Sequence, residues 1–204
     1  MNDLFADKLA IREIVENWVL YRDAGDWERF ATVWHSNGWM TATWFQGPAT
    51  EFIEASRKLF DQGVNILHQL GGWTCDIVGQ RAISQVKMTI NQRGLVDGFR
   101  VDVICFGRFY DFFEKRDGRW GIVRRQPIYE KDRLDLVDPS VTLNLDMDMY
   151  IRFPEGYRFL AYLQTKNGMT VKQDLPGLRG PEVEKLYAEG KAWLEGSKEP
   201  GKVS

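Results

Sequence analysis

Residues 99–132 read FRVDVICFGRFYDFFEKRDGRWGIVRRQPIYEKD and hold two stretches rich in strand-forming residues, Phe99–Lys115 and Trp120–Asp132. The dipeptide Asp117-Gly118 stands between them. It is typical of a tight β-hairpin, because such turns need residues that tolerate a positive φ angle. Two similar stretches precede this pair, Leu67–Val78 and Ala82–Arg93. The four segments predict an antiparallel meander.

The N-terminal third of the chain shows helical patterns instead. Apolar residues recur at close to helical spacing over residues 4–22, and shorter amphipathic segments follow at Asp26–Trp34 and Pro48–Gln62. Between these two lies Trp39–Phe45, which is rich in strand formers. Helices followed by a meander predict an α+β fold, in which three N-terminal helices pack on one face of a curved antiparallel sheet.

The last third of the chain has a different texture, and Asp138-Pro139 breaks the preceding strand. The pattern predicts one short edge strand and two helices, at Asn144–Met149, Arg158–Lys166 and Pro181–Leu194. These helices carry more apolar residues than a free tail would. We therefore divide the chain into a first domain, residues 1–138, and an extension, residues 139–204, which packs over that domain or over a neighbouring subunit.

Composition excludes several classes of function. The chain has 204 residues, with 27 basic and 29 acidic side chains well mixed along it, so no basic stripe could follow a nucleic-acid backbone. No apolar run approaches the roughly 20 residues that span a bilayer, and Met1–Phe5 does not begin an export signal. Cys75 and Cys105 lack metal-ligand spacing and indicate buried, reduced thiols. We expect a cytoplasmic protein without nucleic-acid or membrane partners.

Two residues, His68 and Asp23, suggest acid–base chemistry. His68 lies in the apolar run Ile66–Gly72, and Asp23 lies near the end of the first helix, where a carboxylate opposes the helix dipole and needs a compensating reason. A histidine whose tautomer is held by a carboxylate is the smallest group that can move protons near neutral pH without a cofactor. The alternative for His68 is a buried histidine bonded to a backbone carbonyl.

Other candidate groups have structural interpretations. Asp26 precedes Trp27 and predicts the N-cap of the second helix. His35, the other histidine, stands at a helix end, where a histidine is electrostatically favourable. Two histidines so far apart, without paired-ligand spacing, predict no zinc or iron site. A glycine-rich nucleotide loop and a nucleophile elbow are also absent from the sequence, so we expect no cofactor.

Three motifs resemble the SnoaL-like branch of the nuclear-transport-factor-two-like superfamily, and the resemblance covers about residues 8–135. Asp23-Ala24-Gly25-Asp26-Trp27 is similar to the helix-end motif of scytalone dehydratase and bacterial bile-acid dehydratases. His68-Gln69-Leu70-Gly71-Gly72 resembles the segment that carries the catalytic histidine of scytalone dehydratase. Asp117-Gly118-Arg119-Trp120 matches a hairpin typical of the superfamily.

The resemblance implies a cone-shaped α+β barrel, in which a bent sheet wrapped by helices opens at one end into an apolar pocket. It also implies that His68 is a general base and that Asp23 orients it, as in dehydratases and hexachlorocyclohexane dehydrochlorinase. The implied function is that of a cofactor-independent lyase, which removes water, a halide or a small fragment such as formaldehyde from a small apolar, aromatic substrate. Alternatives are an isomerase or polyketide cyclase that uses the same dyad, or a non-catalytic ligand-binding or structural protein. A homo-oligomer, dimer or trimer, is expected through the exposed sheet face.

The chain departs from the family pattern at three positions. Asn91 stands where scytalone dehydratase has a second histidine, and Trp18 stands where bile-acid dehydratases have a tyrosine. Arg22 replaces the tyrosine beside the family aspartate, and this leaves Tyr21 one position away, about 100° around the helix. The acid for the leaving group is unassigned, with three candidates: Tyr21, Tyr110 and Tyr129.

The predicted strand Val101–Tyr110 allows two interpretations of which side chains line the pocket. Its side chains alternate between two faces, and one face must point into the cone. The first face carries Val101, Val103, Cys105 and Phe109, and the second carries Asp102, Ile104, Phe106, Arg108 and Tyr110. The predicted substrate-binding residues are Tyr21, Trp18, Trp44, Asn91, Phe106, Arg108, Tyr110 and Tyr129.

Overall fold

Six strands form one curved sheet that does not close into a barrel in the computed structural model, which describes residues 3–197. The strands are β1 (Trp34–Thr41), β2 (Gln46–Pro48), β3 (Asn65–Val78), β4 (Arg81–Val96), β5 (Phe99–Arg116) and β6 (Arg119–Leu136). Their order across the sheet is β2-β1-β6-β5-β4-β3. The end of the predicted extension, residues 198–204, lies outside the described residues.

Three helices precede the long strands, as predicted, and three follow them. They are α1 (Asp3–Ala24), α2 (Trp27–Thr32), α3 (Ala49–Asp61), α4 (Met147–Tyr150), α5 (Arg158–Lys166) and α6 (Pro181–Leu194). A single 3-10 turn, Glu155–Tyr157, leads into α5. None of the helices in the described part of the chain is long and apolar enough to cross a bilayer.

The predicted meander is confirmed, because β3, β4, β5 and β6 pair with one another in sequence order and antiparallel. The turn between β5 and β6 contains Asp117 and Gly118, whose φ angles are 51° and 79°. This conformation favours glycine and is tolerated by aspartate. The sequence of this turn therefore fixes the central hairpin.

Two details of the predicted sheet are wrong. It is not wholly antiparallel, since β1 pairs with β6 in parallel; the whole meander separates the two strands, so no tight turn imposes the other direction. The first strand begins at Trp34 rather than Trp39, because pairing of Trp34 with Ile122 replaces the last turn of the predicted helix. Ala42 then donates to the Phe45 carbonyl in a turn, so the strand ends before Phe45.

The predicted edge strand at Asn144–Met149 is also wrong, and this segment leads into α4 instead. The Asp146 carboxylate accepts the backbone N–H of Met149 at 3.1 Å and caps this short helix. Such a local bond competes with an extended conformation. Leu143 and Leu145 pack against the main core, which accounts for the alternating pattern.

Two apolar clusters lie on opposite faces of the sheet. The larger one fills the space between the concave face and α1, α2, α3 and α5. The smaller one lies under α6, where Val183, Leu186 and Trp193 pack against the outer face at Tyr110 and Phe112. The extension therefore covers both faces of the sheet of its own chain.

Candidate active site

His68 and Asp23 come together at the joint between α1 and β3. The Nδ1 atom of His68 lies 2.7 Å from Oδ1 of Asp23, and the backbone N–H of His68 donates to Oδ2 at 2.6 Å. The side chains are 6% and 14% exposed, respectively. One carboxylate thus holds both the backbone and the ring of the histidine, so the position of the imidazole is fixed at two points.

The local sequence explains why Asp23 can reach β3. Gly25 ends α1 with a φ angle of 71°, and the N–H of Asp26 donates to the Tyr21 carbonyl at 2.8 Å. Asp26 then caps α2 by accepting the N–H of Arg29 at 3.3 Å, which confirms its structural interpretation. Asp23 therefore sits in the last turn of α1, where the helix dipole disfavours a carboxylate. The two donors from His68 offset that cost.

The protonation of the His68 ring follows from its partners. A carboxylate only accepts hydrogen bonds, so Nδ1 carries the proton and Nε2 carries the lone pair. Burial lowers the pKa of His68, and the bond to Asp23 opposes that shift. Among residues 3–197, no hydrogen bond occupies Nε2. His68 is thus a neutral base with its acceptor nitrogen available.

A small hollow lies beside His68 on the concave face of the sheet. Its volume is about 40 Å³. The residues that line it are mostly apolar: Trp18, Met40, Ala42, Trp44, Phe52, Ile66, Ile90, Phe109, Pro127 and Leu160. Its polar lining is Arg22, Thr43, His68, Gln92, Tyr129 and Gln164. The hollow has room for a few waters, whereas small-molecule sites are typically about 300–1,000 Å³, so a substrate must displace part of the lining.

Three of the predicted substrate-binding residues line this hollow, namely Trp18, Trp44 and Tyr129. The Trp18 ring meets the His68 ring edge-on at a centroid distance of 5.4 Å. Tyr129 is fully buried, and burial raises its pKa well above the ordinary value, so it keeps its proton. Of the three tyrosines considered as an acid, only Tyr129 is in the lining.

Tyr21 and Asn91 lie outside the lining, and in both cases the register explains why. Tyr21 is one position away from the stripe of α1 that faces the hollow, and the Arg29 guanidinium lies 5.8 Å from its ring. On β4, Ile90 pairs with His68, so Ile90 and Gln92 share the face of His68 and Asn91 points to the other. Gln92 therefore occupies the place expected for Asn91.

Phe106, Arg108 and Tyr110 lie outside the lining too, because they are on the face of β5 that points outward. The face that carries Val103, Cys105 and Phe109 points to the concave side of the sheet. Arg108 donates to Glu130 at 2.7 Å and also to Tyr187 of α6. Tyr110 packs beneath α6 in the smaller cluster. Strand alternation defined both faces correctly, and packing decides which one faces inward.

A buried chain of polar side chains crosses the hollow and includes a residue of the extension. Thr43 Oγ1 donates to Oε1 of Gln164 at 2.6 Å, and Nε2 of Gln164 donates to Oε1 of Gln92 at 3.0 Å. Gln164 lies on α5, one helical turn after Leu160, so α5 forms the roof of the hollow. The sequence feature that could have indicated this contact is Gln164, a polar residue within the apolar stripe of α5.

A buried ion pair supports the rings around His68. Arg125 donates to Asp111 through Nε and one terminal nitrogen, both at 2.7 Å, and neither side chain is exposed. Its guanidinium lies 4.3 Å from the centre of the Trp18 ring and 4.1 Å from that of Phe109. A planar guanidinium stacks well on aromatic faces. This pair therefore supports two walls of the hollow. The positive charge of Arg125 also lowers the pKa of His68.

The side chains that could bind a metal ion lie apart from one another in the part of the chain that the structure describes. No group of three or more histidine, cysteine, aspartate or glutamate side chains is placed to hold a metal ion there. Cys75 and Cys105 are both buried, and burial raises the pKa of each thiol. Neither cysteine lines the hollow.

Comparison with known proteins places this chain in a family. A family model described as a SnoaL-like domain matches residues 4–126. A PEP2-like protein of the fungus Fusarium vanettenii is 38% identical over 204 residues, covering 95% of this chain and 88% of that protein. Pea pathogenicity protein 2 of the same fungus is 37% identical, covering 96% of this chain and 88% of that protein.

Solved structures share the fold at low sequence identity. A scytalone dehydratase-like protein of Novosphingobium aromaticivorans has a TM-score of 0.56 and 16% identity, covering 71% of this chain and all (100%) of that one. A type 2 hexachlorocyclohexane dehydrochlorinase has a TM-score of 0.53 and 14% identity, covering 71% of this chain and 97% of that one. At these identities the likeness shows the fold alone.

Proposed function

Because the chain belongs to the SnoaL-like family, we propose that it is a cofactor-independent lyase in which His68, held by Asp23, removes a proton from carbon. The observation that carries this proposal is the two-point contact of the Asp23 carboxylate with the ring and the backbone of His68, beside an aromatic hollow. A general base in this setting contributes typically about 10²- to 10⁴-fold in rate.

The proposed reaction uses only groups of this chain. Nε2 of His68 takes the proton from a carbon of the substrate, and the electrons of that C–H bond form a new double bond. The leaving group departs from the neighbouring carbon; when it is a hydroxyl, it takes the proton from the imidazolium and leaves as water. Asp23 stabilises the imidazolium in between, and the dyad returns to its initial state. Tyr129, which keeps its proton, donates a hydrogen bond to the leaving oxygen.

The aromatic walls support a small, apolar and aromatic substrate. Trp18, Trp44 and Phe109 line the hollow and offer ring faces and edges on which a flat ligand packs. Double-bond migration and polyketide cyclisation would begin with the same removal of a proton from carbon. Expulsion of formaldehyde would begin instead with removal of the hydroxyl proton of a CH2OH group; the C=O bond of formaldehyde then forms as the C–C bond breaks, and the electrons of that C–C bond stay on the substrate. All of these reactions can use His68 as the base.

A non-catalytic ligand-binding or structural role is the second candidate. One observation favours the structural role: the hollow has a volume of only about 40 Å³, less than an aromatic substrate or any other aromatic ligand needs. The two candidates differ in a simple way. A binding protein needs the hollow and its walls but not the lone pair of His68.

The test compares variants on a panel of small phenolic alcohols. His68→Ala and Asp23→Asn are each expected to lose about 10²-fold or more in turnover of a substrate that the parent consumes. Asp26→Asn is the matched control, since Asp26 is a neighbouring carboxylate that bonds Arg29 rather than His68. If His68→Ala and Asp23→Asn both keep the turnover of the parent, the dyad has no catalytic role.

A further inference from the structure

We infer that Arg22 is a ligand-binding residue that takes an anionic oxygen of the substrate in the hollow beside His68. This inference deepens the proposed function, on which it rests for the location of the ligand. It names the substrate class as a small aromatic compound that carries a carboxylate or develops an enolate as its proton leaves.

The first observation is the position of Arg22 on α1. Ile11, Val15 and Trp18 form the buried stripe of this helix, and Arg22 follows Trp18 by four residues on the same face. Only 5% of Arg22 is exposed. A charged residue thus occupies a core position and lines the hollow together with Trp18.

The second observation is that the guanidinium of Arg22 is poorly paired. Its ion pair is with Oδ1 of Asp23, at 3.5 Å, and the same oxygen lies 2.7 Å from Nδ1 of His68. A guanidinium has five N–H donors, and no other hydrogen bond or ion pair to this side chain is present within residues 3–197. Arg125, by comparison, makes two bonds of 2.7 Å to its own carboxylate, Asp111.

A buried cation with so few partners points to a ligand that completes it. Burying a charge is costly unless it is paired and hydrogen-bonded, and burial lowers the pKa of Arg22 accordingly. The planar fork of a guanidinium matches the two oxygens of a carboxylate. The hollow that Arg22 lines is otherwise apolar over most of its surface, so the ring of an aromatic acid would have a complementary wall.

The position of Arg22 next to the dyad gives the anion a chemical consequence. An anionic oxygen bound beside His68 favours the imidazolium form, so it raises the pKa of the base that has to accept a proton. An oxyanion that develops only as the proton leaves would be stabilised in the transition state instead. Both cases use the same chemistry at Arg22, and they differ in whether the charge is present before the reaction.

Binding tests the case of a carboxylate that is already present. The His68 ring resonances are followed by NMR during titration with acetate and benzoate, and in parallel with the neutral acetamide and benzamide. The parent is expected to bind the two anions at least about tenfold more tightly than their amides, and benzoate is expected to raise the pKa of His68. Arg22→Gln is expected to lose this preference. Arg29→Gln removes the same charge from the exposed α2 surface nearby and is expected to keep it.

Kinetics test the case of a developing oxyanion. On a neutral substrate that the parent consumes, Arg22→Gln is expected to lower kcat about 10-fold or more with little change in KM. If Arg22→Gln does not fold, Arg22→Lys replaces it, because lysine keeps the charge but lacks the fork, and an intermediate loss is expected.

The inference is overturned if the parent does not distinguish the anions from the amides and Arg22→Gln also keeps the kcat of the parent. This failure is distinct from that of the proposed function. Suppose that His68→Ala and Asp23→Asn are inactive, while Arg22→Gln is fully active and neither it nor the parent prefers anions. That result would reject the role of Arg22 and leave the proposed function intact.

Discussion

At the scale of the residue, burial and the charges around His68 set the pKa of its ring. Burial is the largest influence on the pKa of His68 and lowers it; the bond to Asp23 raises it, and the nearby charges of Arg22 and Arg125 lower it. Because the ring is neutral near neutral pH, it is ready to accept a proton. Asp23 makes the resulting imidazolium less costly inside a buried site.

This balance predicts the pH dependence of the reaction. A base works when it is unprotonated, so kcat/KM is expected to hold its plateau above the pKa of His68 and to fall as the pH drops through it. For the free protein that pKa is expected below the ordinary 6.5, and Asp23→Asn is expected to move it lower still, because Asp23 raises it. A pH–rate profile of both proteins checks this, and an acid limb that moves upward in Asp23→Asn would contradict it.

The sequence predicts the dyad but not all of its neighbours. A carboxylate at the end of α1 opposes the helix dipole and needs a compensating reason, and the resemblance to the family implies that Asp23 pairs with His68. Gln92 was not predicted, because the pairing of His68 with Ile90 depends on the register of β3 and β4, which sequence alone leaves undetermined. Arg22 was noted only as a departure, since a charged residue in a core stripe is normally assigned to the surface.

At the scale of the element, α5 controls the size of the hollow. Its start is held by the Asp132 carboxylate, which accepts the N–H of Leu160 at 2.8 Å, and its end by the ion pair of Lys166 with Asp97 at 2.8 Å. Between these points Gln164 bonds two residues of the cone. The helix was predicted correctly from its apolar spacing, but its role as a roof depends on a contact between distant parts of the chain.

Gln164→Ala tests how firmly α5 is held. The change leaves the buried groups of Thr43 and Gln92 without their partner, so the free energy of unfolding is expected to fall by about 1–3 kcal/mol. The control is Gln173→Ala, an exposed glutamine beyond α5, which is expected to stay within about 0.5 kcal/mol of the parent. Urea unfolding measures both, and equal effects would show that the polar chain does not hold the roof.

At the scale of the whole molecule, the extension covers the sheet on both sides, with α5 over the hollow and α6 over the outer face. The predicted homo-oligomer and the cytoplasmic location stay predictions. Subunits that pair through the sheet would have to use outer-face residues that α6 leaves open, such as Leu67, which is 48% exposed. Sedimentation at several protein concentrations distinguishes a dimer or trimer from a monomer.

Gly190 tests the docking of α6 on the outer face. A Cβ atom there would lie 1.9 Å from the Tyr110 hydroxyl, whereas a Cβ at Gly72 would meet nothing within 4 Å. Gly190→Ala is therefore expected to lower the free energy of unfolding by about 1–3 kcal/mol, despite the better helix propensity of alanine. Gly72→Ala, the matched control, is expected to change it little. Chemical denaturation that finds the two variants equally stable would contradict this packing.

The state of the His68 ring in the free protein tests the dyad most directly. In ¹⁵N NMR at neutral pH, we expect a neutral ring with its proton on Nδ1, bonded to Asp23 and shielded from exchange, and we expect this signature to disappear in Asp23→Asn. A proton on Nε2, or a ring that titrates like an exposed histidine and does not respond to Asp23→Asn, would contradict the assignment of His68 as a base held by Asp23.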